Sequence, residues 1–312
     1  DYGGDLRFIT HFSKYNKQPL IDLHLLPCKL ILRDSIYTLS ESNLTYCAAD
    51  TALRIEHFAF EGAGQHLRAN GIASTRRDDT LAVDLQRVDA SYVVPFILPV
   101  QTIMFNGLLT GVANITGVFR QPLVETQIHI DSVGLNNCYF GDAEVDLHVY
   151  PKQILRDTVL PPQLRFHADV YRPITNDQSP ITNDQSPITN DQSPITTRTM
   201  VDLNGMADFD GSGAWNLDMD ADSVPLDFIN HWTANVLRDI DGHATGKVVV
   251  GGRKGMVYVL LDCMADDASL TLPWTNARYT IRHDKIIMDT TAIRFPNVHL
   301  VDVDGNPVEV NG

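Results

Sequence analysis

The chain has 312 residues, 44% of them apolar, and a net charge of −15. That length holds two or three ordinary domains, and the apolar share can build a sizeable core. The acidic balance argues against a nucleic-acid backbone as partner, because phosphate neutralisation needs an excess of Lys and Arg, and against adhesion to anionic headgroups.

The first elements are strand-like runs at Leu6–Ile9 and onward, punctuated by turn signals such as Asn70-Gly71 and Asn106-Gly107. Leu81, Val83 and Leu85 then alternate with Ala82, Asp84 and Gln86, the period of a half-buried strand. A short helix is predicted over 90–104, limited by Pro95 and Pro99. Alternation resumes at Val145, Leu147 and Val149, and at Leu164, Phe166, Ala168 and Val170. Next comes a heptad, Pro-Ile-Thr-Asn-Asp-Gln-Ser, repeated three times from Pro173. It is polar and proline-marked and predicts an expanded loop over 173–196, between strands at Leu164–Arg172 and Thr197–Leu203. Trp215, Leu217, Met219 and Ala221 alternate with acidic or amide residues, and a second short helix is predicted over 225–237. Val257, Val259, Leu261 and Cys263 continue the period, and the chain ends in strand-like Val308-Glu309-Val310. Both ends read as cut, so the chain is expected to be a fragment of a longer protein.

The chain also repeats itself. Gly107, Gly111 and Gly117 return as Gly242, Gly246 and Gly252, and Asp131 and Leu135 return as Asp266 and Leu270, all displaced by 135 positions. Asn70-Gly71-Ile72-Ala73 returns as Asn204-Gly205-Met206-Ala207. Fixed-period self-similarity marks architectures that bury one continuous apolar face by adding units. Two units are expected, 1–150 and 151–312. Two short helices cannot roof so much sheet, which must fold into a sandwich or curl into a trough.

Motifs that carry chemistry are missing. No nucleophile elbow, P-loop, dinucleotide fingerprint or zinc-protease helix occurs. His129, His148 and His167 fall on polar strand positions and read as surface residues. The sets Asp208/Asp210, Asp218/Asp220/Asp222 and Asp302/Asp304 read as a solvated acidic face, since no calcium-loop spacing lines up. Cys28, Cys47, Cys138 and Cys263 have no CxxC spacing; free thiols are expected, with a Cys28–Cys47 bridge as the alternative. Neither an enzyme, a metal nor a cofactor is expected. A triplet of Asp, Ser or Thr, and an aliphatic residue or Thr recurs, as at Asp131-Ser132-Val133 and Asp222-Ser223-Val224. It resembles the O-glycosylation acceptor of exported Bacteroidetes proteins; strand-edge chemistry gives the same triplets.

In the last quarter, Asp239-Ile240-Asp241-Gly242-His243-Ala244-Thr245-Gly246-Lys247-Val248-Val249-Val250-Gly251-Gly252 resembles the glycine-and-alternation run of the TamB family, the AsmA-like translocation and assembly module subunits. Ala268–Leu272, Tyr279–Ile281, Lys285–Met288, Ile293–Phe295 and Leu300–Val308 are similar to that family's C-terminal region. The resemblance is most specific over 222–312, fainter over 67–150, and one of texture over 1–66. It implies an all-β, elongated, curled antiparallel sheet, a taco-like groove with a hydrophobic interior and one short helix per repeat. It further implies a periplasmic protein anchored to the inner membrane through a segment outside this chain, with an outer-membrane Omp85-type partner and a role in outer-membrane biogenesis and phospholipid movement.

Alternation and resemblance together give a groove lined by Val201, Leu203, Trp215, Leu217, Met219, Val257, Val259, Leu261, Tyr279, Ile281, Ile286 and Met288. Phospholipid acyl chains are the expected ligand. Two other readings stay open: a scaffold that docks outer-membrane protein precursors by strand addition, and a β-sandwich adhesion or carbohydrate-binding module.

Overall fold

Alternating side chains sort onto opposite faces of a strand, so the sequence specifies a sheet with one apolar and one polar face. The computed structural model describes residues 2–32, 35–92, 104–135, 138–155, 158–173, 197–208, 213–233, 235–253 and 256–312. The strands are β1 (Tyr2–Gly4), β2 (Phe8–Tyr15), β3 (Gln18–Leu25), β4 (Cys28–Leu32), β5 (Ser35–Leu39), β6 (Ser42–Cys47), β7 (Ala52–Gly62) and β8 (Gln65–Ala73). They continue as β9 (Thr80–Asp89), β10 (Phe105–Thr116), β11 (Leu123–Leu135), β12 (Cys138–Tyr150), β13 (Gln153–Leu155), β14 (Thr158–Leu160), β15 (Gln163–Pro173) and β16 (Thr197–Asp208). The last are β17 (Trp215–Pro225), β18 (Arg238–Arg253), β19 (Met256–Leu272), β20 (Ala277–Met288), β21 (Ile293–Arg294), β22 (Val298–Asp302) and β23 (Pro307–Val310).

Apart from the small β13–β14 ribbon, these strands form one antiparallel sheet of 21 strands. From β7 to β20 each strand pairs with the next in chain order, β12 passing directly to β15. The sheet forks at β7, whose first half pairs with β6 and whose last residues pair with β5. One branch ends at β2 and the other at β1.

The sheet is neither closed nor strongly curled, which corrects the expected taco-like curl. Curvature enters a sheet at bulges and glycine kinks. Here the register breaks of β10 with β9 and β11, of β11 with β12, of β15 with β16, of β17 with β18 and of β18 with β19 fall along one margin.

That row of bulges gives the internal repeat a physical meaning. Gly107 (φ 145°) and Gly242 (φ 102°) both sit at bulges in backbone conformations that other residues rarely adopt. In the strand before each of these, Arg87 (φ 53°) and Ser223 (φ 58°) bulge opposite Thr110 and Thr245, a few residues further along the same margin. The N–H of Arg87 donates to Thr110 Oγ1 at 3.1 Å, and that of Ser223 to Thr245 Oγ1 at 3.0 Å. Thr110 and Thr245 are themselves 135 positions apart. A bulge leaves a ladder donor unpaired, and a hydroxyl one strand away satisfies it. Ser132 (φ 59°) follows the same rule with Asp142 Oδ1 at 2.9 Å. Two of the Asp-Ser triplets are therefore bulge positions.

Among the described residues helix is nearly absent. The helix predicted over 225–237 is a 3-10 turn, Asp227–Ile229, followed by Asn230–Thr233, because β17 runs on to Pro225. The helix predicted over 90–104 and the heptad loop lie largely outside the described residues; the strands flanking the heptads pair as expected, from Val170 with Val201 to Gln163 with Asp208. All four cysteines are free, so no Cys28–Cys47 bridge forms. Among the described residues no helix is long and apolar enough to cross a membrane.

Candidate functional site: the apolar face

Register places the apolar side chains in rows that cross the sheet. The first row runs Val88, Leu109, Ile130, Ala143, Val170, Val201, Ala221, Gly246, Cys263, Ile286. The second runs Leu85, Gly111, Ile128, Val145, Ala168, Leu203, Met219, Val248, Leu261, Met288. The third runs Val83, Ala113, Thr126, Leu147, Phe166, Gly205, Leu217, Val250, Val259, and the fourth Leu81, Ile115, Val124, Val149, Leu164, Ala207, Trp215, Gly252, Val257. At about 4.8 Å between strands and about 6.8 Å between alternate residues, the four rows span on the order of 900 Å². The largest apolar patch on a soluble monomer is about 300–600 Å².

Cover is uneven across this face. In the first row Val88, Leu109, Ala143, Val170, Val201, Ala221 and Cys263 are buried. The segment after β17 supplies part of that cover: Phe228 meets Phe140 edge-on at 5.5 Å between ring centroids and packs on the cluster of Val170, Met200 and Val201. Leu226 packs on the neighbouring cluster of Ala265, Ala268, Ile281 and Val298. Asn230 ties the segment down, its amide exchanging hydrogen bonds with the N–H (2.8 Å) and C=O (2.7 Å) of Ile240. Burial under this segment and the Asp227 carboxylate push the Cys138 thiol up to about 11, so it is an inert thiol at neutral pH. Toward the opposite margin the face opens in part, although Ala168, Thr126 and Leu164 stay buried there. Leu203, Trp215, Leu217, Met219, Val259 and Leu261 are half-buried, and Val257 is 63% exposed.

Ten of the twelve expected lining residues share this face. Val201 and Ile286 fall in the first row, Leu203, Met219, Leu261 and Met288 in the second, Leu217 and Val259 in the third, and Trp215 and Val257 in the fourth. Tyr279 and Ile281 pair with Leu270 and Ala268, past Asp267 (φ 46°), where the β18–β19 register breaks, and lie outside the four rows. Ile281 is 4% exposed and closes against Val298, Leu300 and Val310 of the last two strands. Val248 and Val250 complete this face between β17 and β19, and Val145, Leu147, Leu164 and Phe166 share it. The same period-2 pattern identifies all six.

The opposite face is polar and holds a concavity of about 1110 Å³, bordered among others by Gln127, Asp146, His148, Tyr150, Arg165, His167, Asn204 and Asp218. Its side chains pair across strands: Lys247 Nζ with Asp220 at 3.2 Å, Lys285 Nζ with Asp262 at 2.9 Å, and Arg198 with both carboxylate oxygens of Asp222 at 2.6 Å. Arg165 lies 5.7 Å over the Tyr150 ring, which stacks on His148. Nothing in this arrangement pairs a nucleophile with a base.

Set against protein-family models, curated proteins and solved structures, the chain matches none significantly. The reading of the apolar face therefore rests on its own geometry.

Proposed function

We propose that this chain is a segment of a TamB-like protein of the bacterial envelope that shields phospholipid acyl chains on its way between the two membranes. The observation that carries the reading is the apolar face: four rows over nine or ten strands, interrupted only by Thr126, covered along one margin and partly open along the other. A two-tailed phospholipid carries about thirty methylene groups, and exposing them to water costs about 0.8 kcal/mol each, above ~20 kcal/mol in all. A continuous apolar wall removes most of that barrier with no chemistry. The acidic residues on the other face keep such a sheet soluble. On this reading the protein works in the periplasm, acyl chains lie along the open rows, and the groove is completed by bound lipid. Outer-membrane biogenesis with an Omp85-type partner is the setting that the TamB resemblance supplies. Native mass spectrometry of gently purified protein tests it: adducts of phospholipid mass are expected, and lipid-free protein at every detergent condition counts against it.

One observation favours a second reading, a scaffold that docks outer-membrane protein precursors by strand addition. The edge strand β2 has one neighbour, β3, and exposes Phe8, Ile9, Phe12 and Tyr15. An uncovered edge with apolar side chains is a template for another strand. Crosslinks from precursor strands to Phe12 would support it.

A further inference from the structure

A register row on the polar face runs His129, Glu144, Asp169, Asp202, Asp220, Lys247. Four carboxylates thus stand directly opposite one another on β12, β15, β16 and β17, an arrangement that repels unless cations intervene. Lys247 serves Asp220 at one end. His129 serves the other end: its Nδ1 lies 2.7 Å from Glu144 Oε1 and its Nε2 3.1 Å from Asp131 Oδ1. The interior pair is held by His167, from the next row. Its Nε2 lies 3.3 Å from Asp169 Oδ2, and its Nδ1 lies 3.1 Å from Asn204 Oδ1 and 3.6 Å from Asp202 Oδ1. Both histidines belong to the same local pattern, His-x-Asp on one strand with an acceptor on the next.

A neutral imidazole has one N–H, so it cannot donate from both nitrogens. Each of these rings faces acceptors on both. The carboxylates of Asp169 and Asp202 approach different nitrogens, which is the geometry of a clamped imidazolium rather than of a chelated metal.

We propose that His129 and His167 are protonated cross-links that hold the acidic row together, and that their loss of a proton as pH rises loosens the β11–β12 and β15–β16 seams beneath the polar concavity. This holds whether or not the other face carries lipid. The surroundings of both rings favour it. Opposite His129, β10 presents Thr110, which does not titrate; Arg87 of β9 reaches Asp131 at 3.4 Å; β12 presents Glu144. Around His167, β12 presents Asp146 and, beside it, Glu144 and His148; β16 presents Asn204 and Asp202; its own strand adds Arg165 and Asp169. Partial burial opposes protonation of both rings, but the acceptors outweigh it: Glu144 and Asp131 raise His129 above its ordinary range, and Asn204, Asp169 and Asp202 do the same for His167. A raised histidine stabilises fully below the unfolded value of about 6.5 and loses that contribution as pH rises through its folded value.

The test is amide hydrogen exchange of β12, β15 and β16 between pH 6 and pH 9, corrected for intrinsic exchange, with NMR titration of the two rings. Protection should fall about two- to fivefold at the higher pH, the scale of exposed ion pairs. The H129Q/H167Q variant should be weakly protected at both pH values, and D169N/D202N well protected at both. Rings that titrate at or below the ordinary histidine range, or protection that is flat with pH in the wild-type protein, would overturn the proposal.

Discussion

The indole of Trp215 rests on Gly252: a Cβ at position 252 would stand 2.6 Å from Trp215 Nε1 and 2.8 Å from Cε2. The two residues are register partners on neighbouring strands, so the glycine makes the space the indole fills. Gly252→Val should therefore lift the ring off the sheet, cost about 1–3 kcal/mol in a urea melt, and shift tryptophan emission to the red. An unchanged spectrum and midpoint would show that the indole does not need the glycine.

Ile281 and Leu217 separate packing from surface. Ile281 is buried in the closed cluster with Val298, and Leu217 sits half-buried in the open third row. Ile281→Ala should lower stability by about 2–4 kcal/mol and leave lipid adducts intact. Leu217→Asp should cost less stability and remove the adducts, because a charge on the open rows repels acyl chains. Circular dichroism melts and native mass spectra of both variants check this.

The bulge at Ser223 needs its acceptor. Thr245→Val removes the hydroxyl that meets the Ser223 N–H and should cost about 1–2 kcal/mol, as an unpaired donor does. Ser223→Gly, which suits a positive φ, should be neutral or stabilising by up to about 1 kcal/mol. The same pair of changes at Thr110 and Arg87 should repeat the result, if the two halves of the chain share one device.

Acid should spare the turn after β20. Thr291 donates its hydroxyl and N–H to Asp289, Ala292 adds its N–H, and Arg294 lies 2.7 Å away, which together hold the Asp289 carboxyl down at about 2. A depressed carboxylate contributes above its unfolded value and loses that contribution as pH falls through the folded one. The Thr291 and Ala292 amide signals should therefore stay at their folded positions through pH 4 and shift with a midpoint at about pH 2. Movement already near pH 4 would contradict the geometry.

Much of the fold was legible because a strand writes its two faces into alternate residues. The runs at Trp215–Ala221 and Val257–Cys263 lie in β17 and β19, each paired with β18. The bulges were not legible. Ser132, Ser223 and Asp267 take positive φ without being glycine, and each shifts the parity by which faces are read. Ile281 and Ile286 lie five apart on β20, so simple alternation assigns them to opposite faces, yet both pack on the cluster of Ala265, Ala268 and Val298, and Ile281 is buried in that closed core. The curl was over-read for a related reason. An apolar face calls for cover, but alternation does not say whether the sheet bends or a short segment such as Leu226–Phe228 lies down on it. The polar concavity escaped notice because twist and long side chains shape it, and neither has a period.

Leu217 and Asp218 are chain neighbours whose side chains leave opposite faces of the sheet. Placing a photo-reactive amino acid at each position in turn, in cells grown with labelled phospholipid, compares the two faces at one point of the chain. The account predicts strong phospholipid crosslinking from 217 and little from 218. Equal labelling, or labelling from 218 alone, would contradict an apolar face that carries acyl chains.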